Sequence, residues 1–184
     1  MTPKHSLALS AYLQSTKAPW TSLLVVTAGK RAESVVLPPT GFVLKIIKGR
    51  QCKTPTSLFA EFAQALKFPD YFGHNWDAME ECLADLEWLP AKGYILLVTN
   101  AEAVLPEDEE EYETFLEILR DAGEAWGNGQ AGMGARRGTP FHALFVVSEQ
   151  EKAKRAHWGM KEISAEPTRA ANRQQWSPNR RPSR

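Results

Sequence analysis

Asp77, Glu81 and Asp85 stand four residues apart in the stretch from Phe68 to Ala91, FPDYFGHNWDAMEECLADLEWLPA. Carboxylates at that spacing can hold a metal, work as acid and base, or meet a cationic partner, and the direction of the side chains decides between these. At 3.6 residues per turn the three stack along one side of a helix over roughly 12 Å of axis, with Glu80 beside them. A metal needs donors converging at about 2.0–2.6 Å from several directions, which a parallel row does not supply. No second motif at ligand spacing accompanies them, and no Ser or Cys with His and Asp forms a recognisable nucleophilic set. Asp121, from a later helix, could converge with the row in space, which leaves a metal-dependent hydrolase as an alternative. The expectation is therefore a binding face for something positive, with no catalytic residue, no metal and no cofactor.

The whole stretch holds six acids and no Lys or Arg. Like charges four apart on a helix cost about 0.2–0.5 kcal/mol per pair, so helix stability does not explain them. Asn75 is a good N-cap and puts Asp77 in the first turn, where the helix dipole favours a carboxylate. Asp85 and Glu87 fall near the opposite end, where it does not. Tyr71, Phe72 and Trp76 gather where the acidic row begins, and aromatics beside uncompensated charge are the composition of a protein interface.

The elements that must carry these residues are legible in the apolar pattern. Met79, Cys82, Leu83 and Leu86 recur at i, i+3, i+4 and i+7, the buried stripe of the acidic helix. Before it, Thr54-Pro55 opens a helix with Leu58, Phe59, Phe62, Ala65 and Leu66 on one face. Phe42–Lys48, Tyr94–Thr99 and Phe141–Val147 read as strands, the second apolar on both faces, and Pro106 opens a long helix with Tyr112, Phe115, Leu116, Leu119 and Ala122 inward. The alternation of strands and helices predicts an α/β fold around a small parallel sheet. Ser22–Thr27 and Ser34–Leu37, parted by Gly-Lys-Arg, read as a hairpin added to a sheet edge. Residues 6–15 read as a short helix, and 149–163 as a final helix carrying His157 and Trp158.

Residues 46–90, IIKGRQCKTPTSLFAEFAQALKFPDYFGHNWDAMEECLADLEWLP, resemble the barstar family, intracellular inhibitors of the secreted ribonuclease barnase. The most specific part is P-D-Y-F-G-H-N-W-D-A-M-E-E-C-L, against P-[DE]-Y-[YF]-G-x-N-x-D-A-L-x-[DE]-C-L in the family, and with the downstream elements the resemblance spans about 46–148. It implies a three-stranded parallel sheet packed with helices, and a loop and acidic helix that plug the basic active site of a nuclease. Carried over, Tyr71 is the aromatic facing the enzyme, Asp77 and Glu81 are the helix carboxylates entering its active site, and Asp121 is a third acid. Gly73 and Asn75 shape the loop. His74 stands where the family has an acid, Glu80 where it has an aromatic, and Glu81 where it has the shorter Asp. The expected function is a ribonuclease inhibitor or immunity protein, its partner-binding face made of Tyr71, Gly73, His74, Asn75, Trp76, Asp77, Glu80, Glu81, Asp85 and Asp121. The alternative is a module of the same family for a basic partner that is not a nuclease.

Composition fits one small domain with extensions. The 22 basic and 22 acidic residues cancel but are segregated. Residues 1–53 hold eight bases and one acid, 101–124 ten acids and one base, and the chain from Gln150 onward nine bases and three acids, which makes the middle the face for a cationic partner. Two cysteines cannot make a disulfide scaffold, and Cys82, on the apolar stripe, reads as a reduced core thiol, which suits the cytoplasm. Lys4 and His5 precede too short and polar a run for a signal core, and no apolar run approaches a membrane span. Glu107–Glu111 follows Pro106 and reads as the solvated start of a helix. Gly127-Asn-Gly-Gln-Ala-Gly132 has the G-x-G-x-x-G spacing but follows a helix, so it reads as a loop. Arg136 and Arg137 read as solvated. The expected organisation is an N-terminal extension over 1–40, the family domain over 41–148, a C-terminal helix over 149–163 and a disordered basic tail over 164–184. That tail raises a third reading, nonspecific nucleic-acid binding, which charge alone does not favour. The protein is expected to be a monomer, without membrane or nucleic-acid contact.

Overall fold

Four runs rich in Val, Ile, Leu and Phe, and a short fifth, Lys161–Ser164, form the strands of the computed structural model, which describes residues 9–27, 32–132 and 137–164. In chain order the elements are α1 (Leu9–Leu13), β1 (Thr21–Val26), β2 (Phe42–Lys48), α2 (Pro55–Leu66), α3 (Trp76–Asp85), β3 (Gly93–Thr99), α4 (Glu109–Gly127), β4 (Phe141–Ser148), α5 (Glu149–Lys152) and β5 (Lys161–Ser164). The strands make one sheet in the order β2-β3-β4-β1-β5, and every pairing is parallel. The protein is thus α/β with helices packed on a parallel sheet, as expected.

Each face of the sheet has its own core. On one, Leu96 and Val98 of β3 and Ala143, Phe145 and Val147 of β4 pack with Leu58 and Phe62 of α2, Met79 and Leu83 of α3, and Phe115 and Leu119 of α4. On the other, Ile95, Leu97, Leu144 and Val146 pack with Leu24 and Val26 of β1, Tyr12 and Leu13 of α1, and Ala32 and Val36. A parallel sheet is covered on both faces, which is why β3 and β4 read as nearly unbroken apolar runs.

Among the described residues the sheet has five strands, not three, and Thr21–Val26 is not part of an N-terminal hairpin. Thr21–Val26 lies inside the sheet between β4 and β5, and Ala32–Ser34 form a 3₁₀ turn rather than a second strand. The unbroken run LLVV is the signature of a strand buried on both faces, which an edge does not require. The final helix is also shorter than expected. Ser148 caps it through a capping box with Glu151, it stops at Lys152, and Lys161–Ser164 extends beside β1. His157 is exposed and Trp158 is buried in the helical core. Of the tail expected to be disordered over 164–184, Ser164 ends β5 and residues 165–184 lie outside the described residues, as does Arg136; Arg137 is exposed.

The N-terminal segment is fastened from two sides. Trp20 lies so close to α4 that a Cβ at Gly123 would meet its Cβ at 2.4 Å, so only glycine fits there. His142 of β4, fully buried, donates from Nε2 to the Ser15 carbonyl at 2.8 Å, and its ring lies 4.3 Å from that of Tyr12. Burial lowers the pKa of His142, against a smaller opposing pull from the Ser15 and Pro19 carbonyls.

Candidate functional site

The loop before α3 is set by the way α2 ends. Thr54 and Ser57 form a capping box at the start of α2, with Pro55 in the first turn, and Lys67 closes it in the left-handed region at φ 56°. Phe72 then turns back into the core. It is buried, 4.8 Å from the Phe68 ring and 6.3 Å from Phe59, and the His74 ring lies 4.7 Å from it on the outside. Burying Phe72 leaves its neighbour Tyr71 facing outward, 75 % exposed.

Asn75 starts α3 as expected, its Oδ1 accepting from the Ala78 N–H at 2.8 Å. Met79, Cys82 and Leu83 anchor the helix in the core, and Leu86 closes it in the left-handed region. The C-terminal carbonyls, which Asp85 and Glu87 crowd with like-signed charge, are satisfied from α4 and the loop beyond it. Trp126 Nε1–H donates to Leu83 at 2.8 Å and the Gly132 N–H to Ala84 at 2.8 Å. Neither contact was visible in the sequence, where Trp126 lay beyond the inward positions and Gly132 within a loop.

With its apolar side fixed, α3 leaves Asp77, Glu80 and Glu81 exposed and Asp85 half-buried. Among the described residues none of them makes an ion pair. Asp121 is exposed on α4, which packs along α3. Gly73, His74 and Asn75 are exposed in the loop. The structure thus places Tyr71, His74 and the acids at the surface. Trp76 is the exception. It is half-buried, with its ring 4.7 Å from Phe59 and 6.3 Å from Phe115, and its indole N–H donates to Glu111 at 2.6 Å. Phe72 and Trp76 therefore support the loop and helix from inside, and Tyr71 alone of the three aromatics stands free.

Between Tyr71 and α3 runs an open cleft of about 380 Å³, floored by Phe72, Ala78 and Cys82 and flanked by Glu81 and Asp85. Desolvation at its wall, and then the field of Asp85, raise the pKa of the Tyr71 phenol. The Cys82 thiol is raised as well, first by desolvation and then by Asp85 and Glu81. A thiol held neutral is a poor nucleophile. Among the described residues no group of three or more His, Cys, Asp or Glu side chains is arranged to hold a metal. A cleft with an aromatic wall and two carboxylates suits a cationic side chain, whose stem can lie on the apolar floor.

The family model for Barstar (barnase inhibitor) matches residues 42–146, more than half of the chain and all of the loop, α3 and α4. Among curated proteins nothing matches.

Proposed function

Starting from the chain's membership of the barstar family, described as barnase inhibitors, we propose that it binds a basic ribonuclease and blocks its active site with the loop and acidic helix. The observation that carries this is the set of Asp77, Glu80, Glu81 and Asp85, held on a firmly anchored helix beside exposed Tyr71 and with no cation of the chain paired to any of them among the described residues. Uncompensated carboxylates cost a little in isolation and gain when Lys, Arg or His of a nuclease meets them. They stand where substrate phosphates would otherwise lie, so inhibition needs no chemistry from this chain. Tyr71, Gly73, His74, Asn75 and Asp121 would complete the face, and Trp76 would act from behind it. The biological role is protection of the producing cell or immunity to a neighbour's toxin, exercised in the cytoplasm by a monomer. Among the described residues no helix is long and apolar enough to cross a membrane.

A basic partner other than a nuclease is the second reading. It is favoured by His74, Glu80 and Glu81, which depart from the family pattern at the contact face itself. The test is capture on the immobilised full chain, followed by a ribonuclease assay of what is eluted. A basic ribonuclease whose activity is blocked by stoichiometric chain supports the first reading; a basic partner without nuclease activity supports the second. RNA hydrolysis by the pure chain, abolished by chelator and by Asp77→Asn, would overturn both.

A further inference from the structure

We propose that Glu111 is a positioning residue for the acidic face, its carboxylate on α4 fixing Trp76 and thereby the first turn of α3. This rests on reading α3 as the binding helix. Trp76 opens α3 and immediately precedes Asp77. Its indole N–H reaches Glu111 Oε2 at 2.6 Å across 35 residues of sequence, a short bond of the kind a charged acceptor makes. Phe59, nearly perpendicular to the ring, and Phe115, tilted by 33° from it, pack against Trp76, so the hydrogen bond sets its remaining freedom.

Glu111 is itself anchored. Its backbone N–H donates to the N-cap Asp108 at 3.0 Å. Two residues earlier Glu109 meets Arg155, whose guanidinium also donates to the Val104 carbonyl at 2.6 Å and lies 3.6 Å from the Tyr112 ring centroid. Arg155 comes from the C-terminal extension, outside the span matched by the family. A segment added to the family fold thus steadies the start of α4, and α4 steadies the start of α3. Of the acids in Glu107–Glu111, the one that touches the binding helix is the half-buried Glu111, while its neighbours Glu107, Asp108 and Glu110 are exposed.

The rival account is that the Trp76 ring holds α3 by packing alone. Glu111→Leu fills the space without an acceptor, and Glu111→Gln restores an oxygen acceptor without the charge. In the full chain, amide exchange is measured for residues 78–83 of α3 and 95–98 of β3, with the Trp76 indole N–H followed by NMR. Losing a hydrogen bond to a charged group should speed α3 exchange roughly tenfold or more in Glu111→Leu. The indole proton should lose its protection, Glu111→Gln should recover most of both, and β3 should stay unchanged. Unchanged α3 exchange in Glu111→Leu, or an equal loss in β3, overturns the proposal. Immobilised barnase supplies a second readout. If the wild type binds it, Glu111→Leu should dissociate faster and Glu111→Gln should be rescued, and a wild-type dissociation rate in Glu111→Leu overturns the proposal. If the wild type does not bind barnase, its target is a different protein, and exchange alone decides the role of Glu111.

Discussion

Asp77 and Glu81 are solvated in the free protein, and in a complex they would exchange water for the cations of a nuclease. Removing one member of such a pair strands the other in a dry interface. That costs about 2–5 kcal/mol, a range that rests in part on barnase–barstar itself. Asp77→Ala and Glu81→Ala are therefore expected to weaken partner binding by that amount, chiefly through faster dissociation. Folding should be kept or slightly improved in Glu81→Ala, which removes two like-charge pairs at i,i+4, each worth a few tenths of a kcal/mol, and nearly kept in Asp77→Ala, where relief of one such pair is offset by loss of a carboxylate the helix dipole favours. Surface plasmon resonance and thermal melting on the same variants read the two effects. Unchanged binding with melting lowered as far as in Leu83→Ala would make the acids structural. These carboxylates were legible in the sequence because they repeat on one helix face and answer to nothing nearby. The inward turn of Trp76 was not, because its acceptor lies on another helix and no local pattern points to it.

Among the elements, α2 and α3 announced themselves through an apolar stripe and a cap at a defined residue, Thr54 and Asn75. The C-terminal segment did not. Its Ser148–Glu151 capping box is a true helix start, but the strand after it is four residues long and has its partner, β1, more than a hundred residues upstream. Pairing of that kind is decided by tertiary contact, and local propensity has little say in it. Arg155 shows what the segment contributes. Its bond to Glu109 is worth little, because Glu109 is 61 % exposed and water screens the pair. The bonds to the Val104 and Leu105 carbonyls matter more, since both residues are buried. Arg155→Met should leave those acceptors short of a donor at a cost of about 1–3 kcal/mol. A domain of this size loses roughly 2–4 °C in melting temperature per kcal/mol, so differential scanning calorimetry resolves the effect. A melting temperature equal to wild type would mean water replaces the guanidinium without loss.

At the scale of the molecule the two cores explain why the family-matched span has additions at both ends. Residues 42–146 contain β2, β3, β4 as far as Val146 and all three long helices, yet Ile95, Leu97, Leu144 and Val146 point to the face covered by α1, β1 and the segment through Val36. The seam between addition and family fold is titratable at His142. Its folded pKa lies below the ordinary 6.5, so between the two values the unfolded chain binds more protons than the folded one. Stability attached to neutral His142 is fully present above pH 6.5 and is lost as pH falls from there toward the folded value. Melting temperature should fall from pH 7 to pH 5 in the wild type. It should fall less in His142→Phe, which keeps a ring beside Tyr12, lacks the titration and starts from a lower plateau because the Ser15 carbonyl loses its donor. Parallel slopes for the two proteins would place the acid sensitivity elsewhere.

The same division of the cores makes a sharper claim about truncation. A fragment of residues 42–146 retains the whole proposed binding face and every hydrogen bond that sets α3, including Asn75 to Ala78, Trp126 to Leu83 and Trp76 to Glu111. It loses β1, so β4 becomes an edge with unpaired backbone groups, and it bares four large aliphatic side chains on the second face of the sheet. An open parallel edge beside a contiguous apolar patch favours self-association over a folded monomer. The fragment is therefore expected to aggregate or to bind ANS strongly. Residues 9–164 should remain monomeric and show a cooperative melt, since they keep β1, β5 and both cores. Size-exclusion chromatography with ANS fluorescence on the two fragments separates these outcomes. A soluble, cooperative 42–146 would show that the helical core alone sustains the fold. The N-terminal segment would then be a cover laid over a finished domain, and the buried His142–Ser15 bond would have no part in holding the acidic face in place.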